Sequence, residues 1–159
     1  MKKPTLHNDQ IYSEDVFQIL MDYETIRTIR YPAPLSLLSL EMTPQVSIGK
    51  SPASASSIFE TAFNSQLRSV DIPSRNGSGY LILLPTTNEA GARIVCDRLL
   101  KVFEKEFETT EGILIKFSLQ IGIASHNGGP TLMKEILLQT AETSLKQSRS
   151  RGANTIGSI

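Results

Sequence analysis

The chain has 159 residues, with 16 Lys plus Arg against 16 Asp plus Glu and a formal net charge of zero. At roughly 150 residues per domain this is one domain with a substantial core, and 40% hydrophobic against 20% charged residues argues against a wholly disordered chain. The balance of charge argues against an electrostatic binder of nucleic acid or anionic membrane, and a lone Cys96 with two scattered histidines, His7 and His126, argues against a disulfide, a Cys-based zinc site or a His-rich metal site.

Residues 1–12 show no period and read as a flexible N-terminal tail, followed by a single domain over 13–159. The basic start meets polar residues where a signal peptide needs its apolar stretch, and no apolar run approaches the ~20 residues of a membrane span. A cytoplasmic, reducing setting is expected. Ser13 offers an N-cap with Glu14 and Asp15 in the first turn, and Val16, Ile19, Leu20, Tyr23 and Ile26 follow at helical spacing up to Tyr31-Pro32. Leu35 to Met42 is a short apolar run, as in a strand buried on both faces.

A small-residue stretch, Ser47 to Ser57, precedes a second helix. Ser57 to Glu60 fits a capping box there, and Ile58, Phe59, Ala62, Phe63, Gln66 and Leu67 trace a face. Val70 to Arg75 and Gly79 to Leu84 flank Asn76-Gly77, the signature of a β-hairpin closed by a type I′ turn. Thr86 to Glu89 opens a third helix with Val95, Leu99, Val102, Phe103 and Phe107 facing inward. Ile113 to Ile123 alternates as a long strand, a helix runs from about Thr131 to Arg151 with Gly152 as its C-cap residue, and Asn154 to Ile156 forms a last short strand. The order α, β, α, β-hairpin, α, β, α, β predicts an α+β fold, a central mixed five-stranded sheet surrounded by helices.

Several segments, in order, resemble the GGDEF domain of diguanylate cyclases. Pro34-Leu35-Ser36-Leu37-Leu38 resembles the family's "PLSLLLLDID" strand, and Leu67 to Asp71 with Arg75 and Leu81 to Pro85 resembles "LRxxDxxxRYGGDEFxILLP". Phe117 to Ala124 resembles "TxSxGIA", and Ala141 to Leu145 with Arg149, Gly152 and Asn154 resembles "ADxALYxAKxxGRN". The resemblance spans about Ser13 to Ile156 and implies a nucleotidyl-cyclase-like fold.

It also implies what catalysis would need. Members join two GTP molecules into cyclic di-GMP, using carboxylates at the end of the first strand and at the hairpin tip to hold Mg²⁺. Here Glu41 and Thr43 stand at the two first-strand positions, and Asn76-Gly77-Ser78-Gly79-Tyr80 replaces the motif, with no carboxylate in either alignment register. The guanine-reading "NDxxGHxxGD" stretch is shortened to Gly49-Lys50-Ser51-Pro52-Ala53, and Ala153 matches a phosphate-binding arginine, although Arg149 matches the family lysine. A catalytically inactive chain is expected, with no metal and no cofactor. Gly77-Ser78-Gly79 is read as closing a hairpin rather than as a phosphate cradle.

Arg68 and Asp71 keep the RxxD pattern of the family's inhibitory product site, and Arg98 matches the arginine that joins it from the next helix. The resemblance implies that these three residues bind cyclic di-GMP, the arginine forks donating to guanine O6 and N7 or to phosphate and the carboxylate accepting from N1–H and N2–H. The same residues also fit a surface ion pair and a solvent-facing helix residue. An inactive cyclic di-GMP receptor acting through a protein partner or as a homodimer is thus set against a nucleotide-independent docking module and a weak residual cyclase.

Overall fold

The computed structural model describes residues 11–157. His7 and most of the expected tail lie outside the described residues. Ile11 and Tyr12, which the tail expectation included, are buried, and Tyr12 bridges to Ser74 in parallel, its N–H donating to the Pro73 carbonyl at 3.0 Å. The element order is α1 (Glu14–Arg30), β1 (Leu35–Val46), α2 (Ala55–Asn64), β2 (Ile72–Asn76), β3 (Gly79–Pro85), α3 (Glu89–Val102), β4 (Phe107–Glu108), β5 (Leu114–His126), α4 (Lys134–Arg151) and β6 (Thr155–Ile156).

The sheet runs β2-β3-β1-β5-β4 with antiparallel neighbours, and two-residue β6 adds to β5 in parallel. The expected mixed α+β sheet is present. Two-residue β4 is an addition to the expected five strands: Phe107, expected inside the third helix, lies in β4 because α3 ends at Val102. β1 runs past Met42 to Val46 even though Pro44 interrupts it. Pairing with β3 ends at Leu40, so from there β1 has only β5 beside it, and a proline is tolerated where one side of the strand has no ladder.

Both faces of the sheet are covered, which is why every residue of β1 from Leu35 to Leu40 is buried and only the small Ser36 and Ser39 interrupt its leucines. One face carries Leu38, Leu40, Tyr80, Ile82, Phe117 and Ile121 against α2 and α3. Phe59 is its hub, with ring centroids 4.7 Å from Phe103, 5.2 Å from Tyr80, 5.3 Å from Phe63 and 5.5 Å from Phe117. The opposite face packs Leu35, Leu37, Leu81 and Leu83 against α1 and α4.

Three helix readings are corrected. α1 buries Phe17, Leu20, Met21, Thr25 and Thr28, whereas Ile19, Tyr23 and Ile26 point outward. This helix carries apolar residues on two sides, so spacing alone selects the wrong stripe. α2 begins at Ala55 rather than at a Ser57 cap, and Glu60, the expected capping acid, is turned into the protein and buried. Ser13 and Gly152 do terminate their helices: Ser13 Oγ accepts from Val16 N–H and Gly152 has φ +97°, whereas α3 is capped not by Thr86 of the expected Thr86–Glu89 box but by Asn88, whose Oδ1 accepts from Gly91 N–H at 2.9 Å.

Candidate functional site

The hairpin tip is set by its register. Asn76 pairs with Gly79, leaving Gly77 and Ser78 as a two-residue loop. Only Gly77 has positive φ (+59°), so the turn has the φ pattern of type II′, with glycine at its first central position, rather than the expected type I′ with Asn76 inside it. The Gly77 N–H donates to Glu14 Oε1 at 2.7 Å, tying the tip to the start of α1. No carboxylate belongs to the tip.

Beneath the tip, Glu60 of α2 is a buried acceptor. Arg75 of β2 donates to it through Nη2 (2.6 Å) and Nε (3.3 Å), and the Tyr80 hydroxyl donates to Oε2 at 2.9 Å. Burial, and then the adjacent carboxylate, push the Tyr80 phenol well above its ordinary range, so it stays a neutral donor. A cavity of about 500 Å³ opens here, between the hairpin and the serines at the start of α2 (Ser56, Ser57). The sequence reading missed this trio because Ser57 to Glu60 has the form of a capping box. A buried glutamate on an amphipathic face was the signal to question that reading.

At the end of the paired part of β1, Glu41 is held by Arg149 of α4. Nε donates to Oε2 at 2.9 Å and Nη2 to Oε1, a fork-to-carboxylate pair. Hydrogen bonding to Arg149 holds the Glu41 carboxyl below the usual range, outweighing partial burial. The residue expected at a metal position and the residue expected at a phosphate position therefore satisfy one another. Among the described residues no three His, Cys, Asp or Glu side chains converge. A carboxylate neutralised by arginine, next to a tip without acids, does not fit the divalent metal that the resemblance implies.

This pair gives a pH prediction. The depressed folded-state pKa means that the stabilisation is fully present above the unfolded carboxyl pKa and is lost as pH falls through the folded value. In Arg149→Ala the Glu41 carboxyl is expected to titrate back in the ordinary glutamate range, as followed by NMR of its side-chain carboxyl. An unchanged midpoint would contradict the assigned cause.

Arg68 lies in the loop after α2, Asp71 in the turn before β2, and Arg98 on α3. Asp71 is fully buried and closes the turn on Arg68: it accepts from the Arg68 backbone N–H at 2.7 Å, from Nη2 at 2.8 Å and from Nε at 3.2 Å. Nη2 also donates to Thr87 Oγ1 (2.8 Å) and the Pro85 carbonyl (3.1 Å). Arg68 itself is half exposed and lines a cavity of about 470 Å³ with Leu20, Tyr23, Arg27, Val70 and Ile72. Arg98 is anchored two residues before Arg68, donating to the Gln66 carbonyl at 2.6 Å. Arg68 and Asp71 thus meet directly, but Asp71 faces inward and serves the arginine rather than the open cavity.

No family model and no curated protein matches the chain by sequence. Solved structures do match. The GGDEF domain of YfiN (TpbB) from Pseudomonas aeruginosa superposes with a TM-score of 0.75 at 17% identity, over 92% of this chain and 95% of that one. The coiled coil and GGDEF domain of DgcB from Caulobacter crescentus, in complex with c-di-GMP, gives 0.75 at 11% identity, over 98% and 85%. The diguanylate cyclase SiaD, in complex with its activator SiaC from Pseudomonas aeruginosa, gives 0.72 at 17% identity, over 91% of this chain and 57% of that one. The curled antiparallel sheet, its four helices and these superpositions establish that the chain has the GGDEF-domain fold.

Proposed function

We propose that this chain is a non-catalytic GGDEF-fold signalling protein that binds cyclic di-GMP at Arg68 and acts through a protein partner. The observation that carries the first half is the Glu41–Arg149 pair beside a hairpin tip made of Gly77 and Ser78. Phosphoryl transfer between two nucleotides needs fixed positive charge over the reacting phosphate, supplied in this fold by metal on carboxylates. Here the first-strand carboxylate is spent on an arginine and the tip offers none. Prolonged incubation with GTP and Mg²⁺ or Mn²⁺ is expected to yield no cyclic di-GMP, and product formation would overturn this reading.

Ligand binding is supported by the shape around Arg68. Its guanidinium is aligned by a buried carboxylate, and its Nη1 amino group takes no part in those bonds. Apolar walls from Leu20, Val70 and Ile72 and the Tyr23 ring suit a flat ligand with base and phosphate groups; Arg27 and Glu24 also line the cavity but pair with each other at 2.7 Å, which leaves Arg68 to meet the phosphate. In this arrangement Asp71 positions Arg68 and Arg68 supplies the contacts, while Arg98, which does not line the cavity, steadies the loop before Arg68 through the Gln66 carbonyl. Structural neighbours bind c-di-GMP (DgcB) and an activator protein (SiaC), which is the precedent for both halves of the proposal.

Calorimetric titration with cyclic di-GMP tests it. Saturable binding is expected in the wild type, weakened at least ~10-fold in Arg68→Lys, which keeps the charge but loses the fork. No heat at tens-of-micromolar ligand, or equal affinity in both proteins, would overturn it. The second reading, nucleotide-independent docking, is favoured by one observation: the outward isoleucines of α1.

A further inference from the structure

The outward face of α1 carries a regular series. Asp15, Ile19, Asp22, Ile26 and Ile29 follow at alternating steps of four and three residues, and all five are exposed, Ile19 by 60% and Ile26 by 67%. Single exposed isoleucines are ordinary on a monomer. A series at four-three spacing is different, because that spacing forms the seam by which one helix packs along another. The opposite face, with Phe17, Leu20 and Met21, is already used against the sheet, so Ile19 and Ile26 of this seam are left outside the core, while Asp22 reaches Lys134 of α4.

The charges on the same helix select the occupant. Glu14 and Asp15 lie in its first turn, Arg27 and Arg30 in its last. A second copy laid parallel would stack like charges at both ends. Laid antiparallel, with the two-fold axis between Asp22 and Tyr23, it sets Asp15 against the partner's Arg30 and Ile19 against the partner's Ile26. One offset satisfies both the ionic and the apolar pairs, which two-fold symmetry then repeats. Asp22, close to the axis, is already neutralised within its own chain by Lys134 Nζ at 2.6 Å, so the centre does not oppose two bare carboxylates.

We propose that α1 is a self-pairing surface, and that two copies of this chain associate through antiparallel α1 helices in this register. The contact is one helix wide, below the area of a standard stable interface, so the dimer forms reversibly with rising concentration. The proposal does not rest on nucleotide binding, and its test contains none.

Sedimentation equilibrium of the full chain is expected to show a monomer–dimer equilibrium. Ile26→Asp, on a surface position, should weaken dimerisation at least ~10-fold, since each symmetric dimer loses two apolar contacts. Asp15→Arg and Arg30→Asp should each weaken it, and the double variant should restore it. Both charge changes oppose the dipole of their own helix, so recovery cannot come from helix stability. Under mild oxidation, a mixture of Ile19→Cys and Ile26→Cys proteins should cross-link faster than either alone. A monomer at every concentration, a dimer indifferent to Ile26→Asp, a double variant that stays monomeric, or faster cross-linking of Ile19→Cys with itself would each overturn the proposal.

Discussion

Gly122→Ala is expected to lower the unfolding free energy by about 3 kcal/mol or more, the upper end of overpacking penalties. On a domain of this size that is a fall in Tm of roughly 6–12 °C. A Cβ at Gly122 would lie 2.3 Å from both the Ala141 carbonyl oxygen and the Leu145 nitrogen, and 2.8 Å from the Leu145 Cα. All three are backbone atoms of α4, so no side-chain rotation relieves the clash. Nor is the helix free to withdraw, because Ser144 Oγ accepts the Ile123 N–H at 2.9 Å and Leu137, Ala141 and Leu145 are buried beneath it. Gly77→Ala is the control. Nothing lies within 4 Å of its added Cβ, but φ is +59°, so only the left-handed strain of about 1 kcal/mol is expected. Thermal unfolding followed by circular dichroism separates the two. Equal Tm values would show that α4 yields more readily than its hydrogen bonds imply.

Asp71→Ala is expected to destabilise the protein by about 2–3 kcal/mol, somewhat below the usual cost of breaking a buried ion pair because Arg68 is half exposed. The carboxylate has no solvent contact and joins the Arg68 backbone, the Arg68 side chain and, through Arg68, the start of α3 at Thr87. Arg68→Lys should cost less, since an ammonium still neutralises the buried carboxylate. Urea unfolding measures both. The ordering bears on the ligand test. A loss of cyclic di-GMP binding in Asp71→Ala would mix folding with recognition, whereas Arg68→Lys reports recognition. If Arg68→Lys proves the more destabilising of the two, the arginine fork is itself structural and the ligand role assigned to it fails.

The hairpin and the first strand are tied to the helices by three polar contacts. Gly77 N–H is held by Glu14, Glu60 is held by Arg75 and Tyr80, and Glu41 is held by Arg149. Each of these groups has an internal partner of opposite charge or hydrogen-bonding sense. Such pairing satisfies the groups without metal or nucleotide, and it ties α1, α2 and α4 to the sheet.

Much of this was legible in the residues. Strand β1 announced double-sided burial through its nearly continuous apolar run, β5 through its alternation, and two helix termini through Ser13 and Gly152. These signals are local: a cap, a turn or a period acts within a few residues and can be read there. The absence of acids from the hairpin tip is equally local, and so was the reason to expect an inactive chain.

What needed the tertiary structure was partner choice. In α1 both the Phe17–Leu20–Met21 stripe and the Ile19–Ile26 stripe have helical spacing, and only contact with the sheet decides which is buried. Glu60 has capping-box spacing from Ser57, yet Arg75 and Tyr80, fifteen and twenty residues away, draw it inward. The zero net charge likewise concealed how acids and bases are matched. Sequence alone determined that no carboxylate stands at the hairpin tip. Only the fold decided that Glu41 meets Arg149 across 108 residues and that Asp71 faces Arg68 rather than the cavity, because ion pairing depends on distance in space, which local spacing does not encode.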